Sequence, residues 1–113
     1  LTIVEGEPDA VVAYINGQVQ RARENGEKTG VIGTDECAGR YCADVVKSVG
    51  SREDEEGIAR HLFTVLREFD DENVERMYSE SFDSAGLGQA IMNRLLKAAG
   101  HRVVRPQDET KIQ

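Results

Sequence analysis

The chain has 113 residues and a formal net charge of −7, with 39% hydrophobic and 31% charged residues. At this length one domain is the prior, able to bury roughly two-thirds of its unfolded surface, and the composition is globular rather than disordered. An acidic chain lacks the basic stripe that neutralises phosphates, which argues against direct contact with nucleic acid or an anionic membrane, and no apolar run approaches the length of about 20 needed to span a bilayer.

Leu1-Thr2-Ile3-Val4 reads as a short strand, and Glu5-Gly6-Glu7 as the turn after it. Pro8 suits a first helical turn, where its missing N–H costs nothing. The helix it opens runs to about Asn25, with Val12, Ile15, Val19 and Ala22 on one face. Gly17 inside it suggests a close neighbour. Thr29 to Thr34 is a short buried strand, followed by a helical turn within Asp35 to Arg40. Ala43 to Val49 is a third strand of imperfect alternation, placed at a sheet edge where Lys47 discourages further pairing.

A second helix follows Gly50-Ser51-Arg52, with Ser51 and Asp54 as a capping-box variant. The acidic run Glu53 to Glu56 then lies where the helix dipole favours negative charge. Ile58, Leu62, Val65, Leu66 and Phe69 form its apolar stripe, with His61 packed beside it as a structural residue. Val74 to Ser79 is the fourth strand. Glu80 to Gly100 turns on two glycines and enters a third helix, whose apolar face is Leu87, Ile91, Leu95 and Ala98, with Ala90 beside them. Gly100 takes the left-handed C-cap position. His101 to Arg105 is a fifth strand.

Strands alternating with helices imply a parallel sheet covered on both faces. The expectation is an α/β fold: a three-layer α/β/α sandwich, Rossmann-like, with about five mostly parallel strands. Residues 1–105 form one domain and 106–113 a polar tail. Strand order 3-2-1-4-5 is the first choice and 2-1-3-4-5 the second. The start at Leu1, without Met, suggests a piece of a longer protein.

Ligands of such sheets sit at the carboxyl ends of the strands, at the switch point. In the preferred order that point lies between strands one and four, beside Glu5-Gly6-Glu7 and Glu80 to Gly88. Ser84-Ala85-Gly86-Leu87-Gly88 could offer backbone N–H groups to an anion. Glu5, Glu7, Glu80 and Asp83 crowd the same end with opposing charge. The dinucleotide fingerprint is incomplete, because Ile91 stands where the third Gly is required. The glycines therefore read first as a tight turn. Cys37 and Cys42 have four residues between them, unlike the two-residue gap of zinc and redox motifs, and read as ordinary thiols of a reducing cytoplasm. No G-x-S-x-G elbow surrounds Ser79, Ser81 or Ser84. Asn93 and Arg94, among apolar neighbours, read either as a solvated asparagine and an arginine paired with a nearby carboxylate, or as a contact surface for another domain.

Glu80, Phe82 and Gly86-Leu87-Gly88-Gln89-Ala90-Ile91-Met92-Asn93-Arg94-Leu95-Leu96-Lys97-Ala98-Ala99 resemble the signature of the C-terminal domain of two-domain L-threonylcarbamoyladenylate synthases. Val31 to Thr34, Leu62-Phe63 and Leu66 to Asp70 are similar too. The resemblance implies a parent enzyme that uses ATP, L-threonine and bicarbonate to make threonylcarbamoyl-adenylate for tRNA modification. It implies that ATP, with magnesium, belongs to an N-terminal YrdC-like catalytic domain, and that a linker joins the two. No catalytic motif of that domain has a counterpart here, so this segment is expected to hold no catalytic residue, cofactor or metal. The expected role is accessory, through a contact surface involving Glu80, Gly86, Gly88, Asn93 and Arg94. The partner would be the catalytic domain of the same chain, with a homodimer as a further option. The alternative is a domain that binds a small-molecule or nucleotide effector and regulates the enzyme.

Overall fold

The computed structural model describes residues 1–82 and 87–106. Five strands form one sheet, all pairs parallel: β1 (Thr2–Val4), β2 (Thr29–Gly33), β3 (Val45–Ser48), β4 (Arg76–Glu80) and β5 (Val103–Val104). Three helices link them: α1 (Pro8–Glu24), α2 (Glu55–Asp71) and α3 (Leu87–Ala99), with a 3₁₀ turn at Ala38–Arg40.

The lateral order is β3-β2-β4-β1-β5, which corrects both expected orders. β4 lies between β2 and β1, pairing Gly30 with Met77 on one side and Ile3 with Ser79 on the other. Helix–strand alternation is satisfied by all three orders. What distinguishes this one is polar: Glu80 at the end of β4 bonds to Thr34 just past β2, which needs the two strands side by side. β3 is an edge strand as expected, and its Lys47 folds back to Glu68 and Glu72 of α2 at 3.6 and 3.1 Å.

Strand side chains alternate between two cores. Ile3 and Ile32 face α2 and α3, packing with Ile58, Leu62, Phe69, Ile91 and Leu95. Val4, Val31 and Tyr78 face α1, packing with Val11, Val12, Ile15 and Val19. The helices thus divide between the faces, and the sandwich has three layers. Gly30 admits α2 closely: a Cβ there would sit 3.0 Å from the Phe69 ring and from Val74.

Several local expectations shift. The α2 cap is Asp54, whose carboxylate accepts from the Gly57 N–H at 3.0 Å; Ser51 instead donates to Glu36. Gly17 is exposed, and a Cβ there would meet nothing within 4 Å, so it marks no close packing. On α3 the buried stripe is Ile91, Met92, Leu95 and Ala99, while Ala90 and Ala98 face solvent. Among the described side chains the i, i+4, i+8 series is Ile91, Leu95 and Ala99, and small alanines fit either side. The fourth strand begins later than expected, at Arg76, after Asn73 takes a left-handed φ of 56°. Gly100 has the φ of 60° expected of a left-handed C-cap. The expected tail beyond Pro106 lies outside the described residues.

Candidate functional site

β4 ends beside β1 and β2, and the loops leaving all three converge around Glu80. The core packing puts α1, which follows β1, on one face and α3, which follows β4, on the other. That divergence is what opens a crevice at a sheet's carboxyl edge. The switch point expected between strands one and four survives the change of order, because β1 and β4 remain neighbours.

Glu80 is the centre of the crevice, with a side chain only 4% exposed. Oε2 accepts from the Thr34 N–H at 3.0 Å and the Tyr41 hydroxyl at 2.9 Å. Oε1 accepts from the Thr34 hydroxyl at 3.0 Å and from Arg52 Nη2 at 2.6 Å. Two donors per oxygen use the carboxylate's acceptor capacity and offset the cost of burying it. Gly33 makes the space: a Cβ there would lie 3.0 Å from Glu80 Oε2 and 3.1 Å from the Tyr41 ring. Burial, and then the Glu80 charge, push the Tyr41 phenol well above its ordinary pKa, so it stays protonated and donates.

Arg52 closes the crevice from the loop before α2. Its Nη1 donates to the Ser81 carbonyl at 2.9 Å, and its guanidinium lies 5.4 Å from the Phe82 ring centroid. The loop is held by Glu36, which accepts from the Arg52 backbone N–H at 3.0 Å and the Ser51 hydroxyl at 2.9 Å. Those bonds hold the Glu36 carboxyl below its ordinary pKa. The charge crowding expected at this end is relieved at two of its four carboxylates. Glu80 is paired with Arg52, and Glu5 with Arg105 at 2.8 Å.

A cavity of about 240 Å³ lies against this network. Val4, Pro8 and Val11 form an apolar wall, and Tyr41, Arg52, Glu80 and Ser81 a polar one; Gly6 and Cys37 complete it. Cys37 is a buried free thiol and Cys42 an exposed one. Among the described residues no group of three or more His, Cys, Asp or Glu side chains could hold a metal ion.

The residues singled out from the sequence do not form one site. Glu80 sits at the crevice. Gly88 is buried in the first turn of α3 and lines a second cavity of about 190 Å³ on the other side of Arg52, with Ile58, Phe82 and Ile91. Gly86, like Asp83, lies outside the described residues. Asn93 and Arg94 are exposed on the outer face of α3, away from the crevice. There Arg94 stacks 3.3 Å from the centroid of Phe63, itself 49% exposed, beside an open groove of about 670 Å³. His61 is exposed rather than packed beside the α2 stripe, with Nδ1 3.3 Å from the Val49 carbonyl.

Sequence reasoning missed Thr34, Tyr41 and Arg52 as the partners of Glu80. One signal was available: a cation just before a helix N-terminus opposes the dipole, so Arg52 needs another partner.

A family model described as "Threonylcarbamoyl-AMP synthase, C-terminal domain" matches residues 1–100. The threonylcarbamoyl-AMP synthase of Bacillus subtilis is 46% identical over 93% of this chain and 29% of its own length. That of Pyrococcus abyssi is 41% identical over 91% of this chain and 28% of its own. The chain thus spans under a third of the curated relatives it matches. A solved variant of the Pyrococcus abyssi Sua5 protein superposes with a TM-score of 0.83 at 40% identity, over 92% of this chain and 28% of that one. The solved C-terminal Sua5 domain of Pyrococcus horikoshii gives 0.71 at 36% identity, over 92% of this chain and 93% of that one. The chain belongs to the family of the C-terminal domain of threonylcarbamoyl-AMP synthases.

Proposed function

We propose that this chain is a non-catalytic accessory domain of an L-threonylcarbamoyladenylate synthase. It docks on a YrdC-like catalytic domain and orders the linker between them. ATP and its magnesium, L-threonine and bicarbonate are handled by that neighbour, in the cytoplasm, and the product serves tRNA modification. The observation that carries the accessory reading is the state of Glu80. A general base needs a lone pair free for a substrate proton. Both Glu80 oxygens are committed to Thr34, Tyr41 and Arg52, which makes it a structural tie. The docking half is supported by the outer face of α3, where an exposed arginine on an exposed aromatic resembles the anchors that interfaces favour.

Incubation of the 113-residue chain with ATP, L-threonine and bicarbonate is expected to yield no threonylcarbamoyl-adenylate by mass spectrometry. Product above a no-protein blank overturns the reading.

The cavity of about 240 Å³ favours a second reading, in which the domain also binds a small effector that regulates its neighbour. Titration calorimetry with the isolated chain separates the two, since a purely docking domain evolves no heat with small molecules.

A further inference from the structure

The chemistry of the crevice narrows the effector reading to one ligand class. We infer that the cavity beside Glu80 binds a small organic monoanion, with its carboxylate on Arg52 and a short apolar body against Pro8. The inference rests on the effector reading and deepens it.

Charge decides the sign of the ligand. Glu80 is saturated by its four donors, so it offers nothing to a cation. Arg52 lines the same cavity and is 43% exposed. A guanidinium has five N–H groups, and the bonds to Glu80 and Ser81 use two of them. What remains suits a planar carboxylate. The α1 end of the cavity agrees. Glu7 makes no side-chain cap there, which leaves first-turn N–H groups of α1 unserved, and Asp9 in that turn is paired with Arg40 at 2.9 Å.

Size and wall decide the rest. About 240 Å³ falls below the roughly 300–1,000 Å³ of sites that enclose drug-sized ligands, so a nucleotide does not fit. Glu7, next in the chain to Gly6 of the lining, opposes a dianion such as phosphate more than a monoanion. Pro8, exposed over the buried Val4 and Val11, gives the wall an apolar surface with no use for a bare inorganic ion, whereas a short hydrocarbon body gains by covering it.

The test is an NMR titration of the isotopically labelled chain in carboxylate-free buffer, with lactate, L-threonine, inorganic phosphate and AMP as separate probes. The expected result is saturable shifts at Gly6, Val11, Cys37 and Ser81 with lactate, and none there with phosphate, AMP or zwitterionic L-threonine, whose ammonium finds no free carboxylate. Arg52→Gln keeps an N–H donor for Glu80 and is expected to weaken carboxylate binding at least about tenfold. Should Arg52→Gln unfold, Pro8→Glu serves instead: the position is exposed in the first turn of α1, where a carboxylate is tolerated, the change leaves Arg52 and Glu80 in place, and the added charge on the wall abolishes the shifts. Binding of AMP but not of carboxylates at these residues overturns the inference while sparing the effector reading. No shift with any probe, or shifts confined to the Phe63–Arg94 groove, overturns both.

Discussion

The Tyr41 hydroxyl donates to a buried carboxylate, and that places a pH limit on the fold. Burial and the Glu80 charge raise its pKa above the ordinary 10.0, so folding favours the protonated phenol. The stabilisation is fully present below about pH 10 and is lost as the pH rises beyond it, because the unfolded chain releases its proton first. Tyr78 is raised in the same direction by burial. Tyr41→Phe is therefore expected to cost about 2 kcal/mol at neutral pH, as a hydrogen bond to a charge is lost. It should also lessen the decline in stability above pH 10. Urea unfolding at both pH values reads the two effects, and an unchanged alkaline decline contradicts the second. Glu80 itself was legible from the sequence as a residue to watch. Its partners were not, because they stand 28 to 46 residues away and meet it only through the strand order.

The helices follow from their own sequence more than the sheet does. α1 and α2 lie close to where periodicity puts them, since a 3.6-residue stripe is local information. Lateral strand order is not local: alternation assigns each strand's faces and leaves its neighbours open. Caps fall between the two. Asp54 and Ser51 both precede α2 within the spacing a cap allows, and the choice depends on Glu36, a loop away, which takes Ser51. Asp54→Ala is expected to destabilise the domain by about 1 kcal/mol, a loss of one N-cap. Thermal unfolding should register it as a midpoint lower by roughly 4 °C. The adjacent, exposed Glu53→Ala should leave the midpoint nearly unmoved, and equal effects of the two would mean that charge, not capping, is at work.

For the whole molecule, the outer face of α3 and the crevice lie apart, so the proposed docking and the proposed ligand binding are separable. Arg94→Glu reverses the charge on the Phe63 face without touching the core. In the isolated domain it should cost no more than about 1 kcal/mol, the worth of an exposed cation–π contact. In the full-length protein that carries this domain, adenylate formation should fall severalfold. Unchanged turnover there removes this face from the docking surface. The position of β1 has a further consequence, for the time course of folding. Its neighbours in the sheet are β4 and β5, drawn from the far half of the chain. While the chain is being made, Thr2–Val4 has no strand to pair with until Arg76–Glu80 has been synthesised. β2 and β3 can pair early, but the middle of the sheet assembles late, with long loops to close first, and a ribosome-bound half-domain holds its earliest strand open.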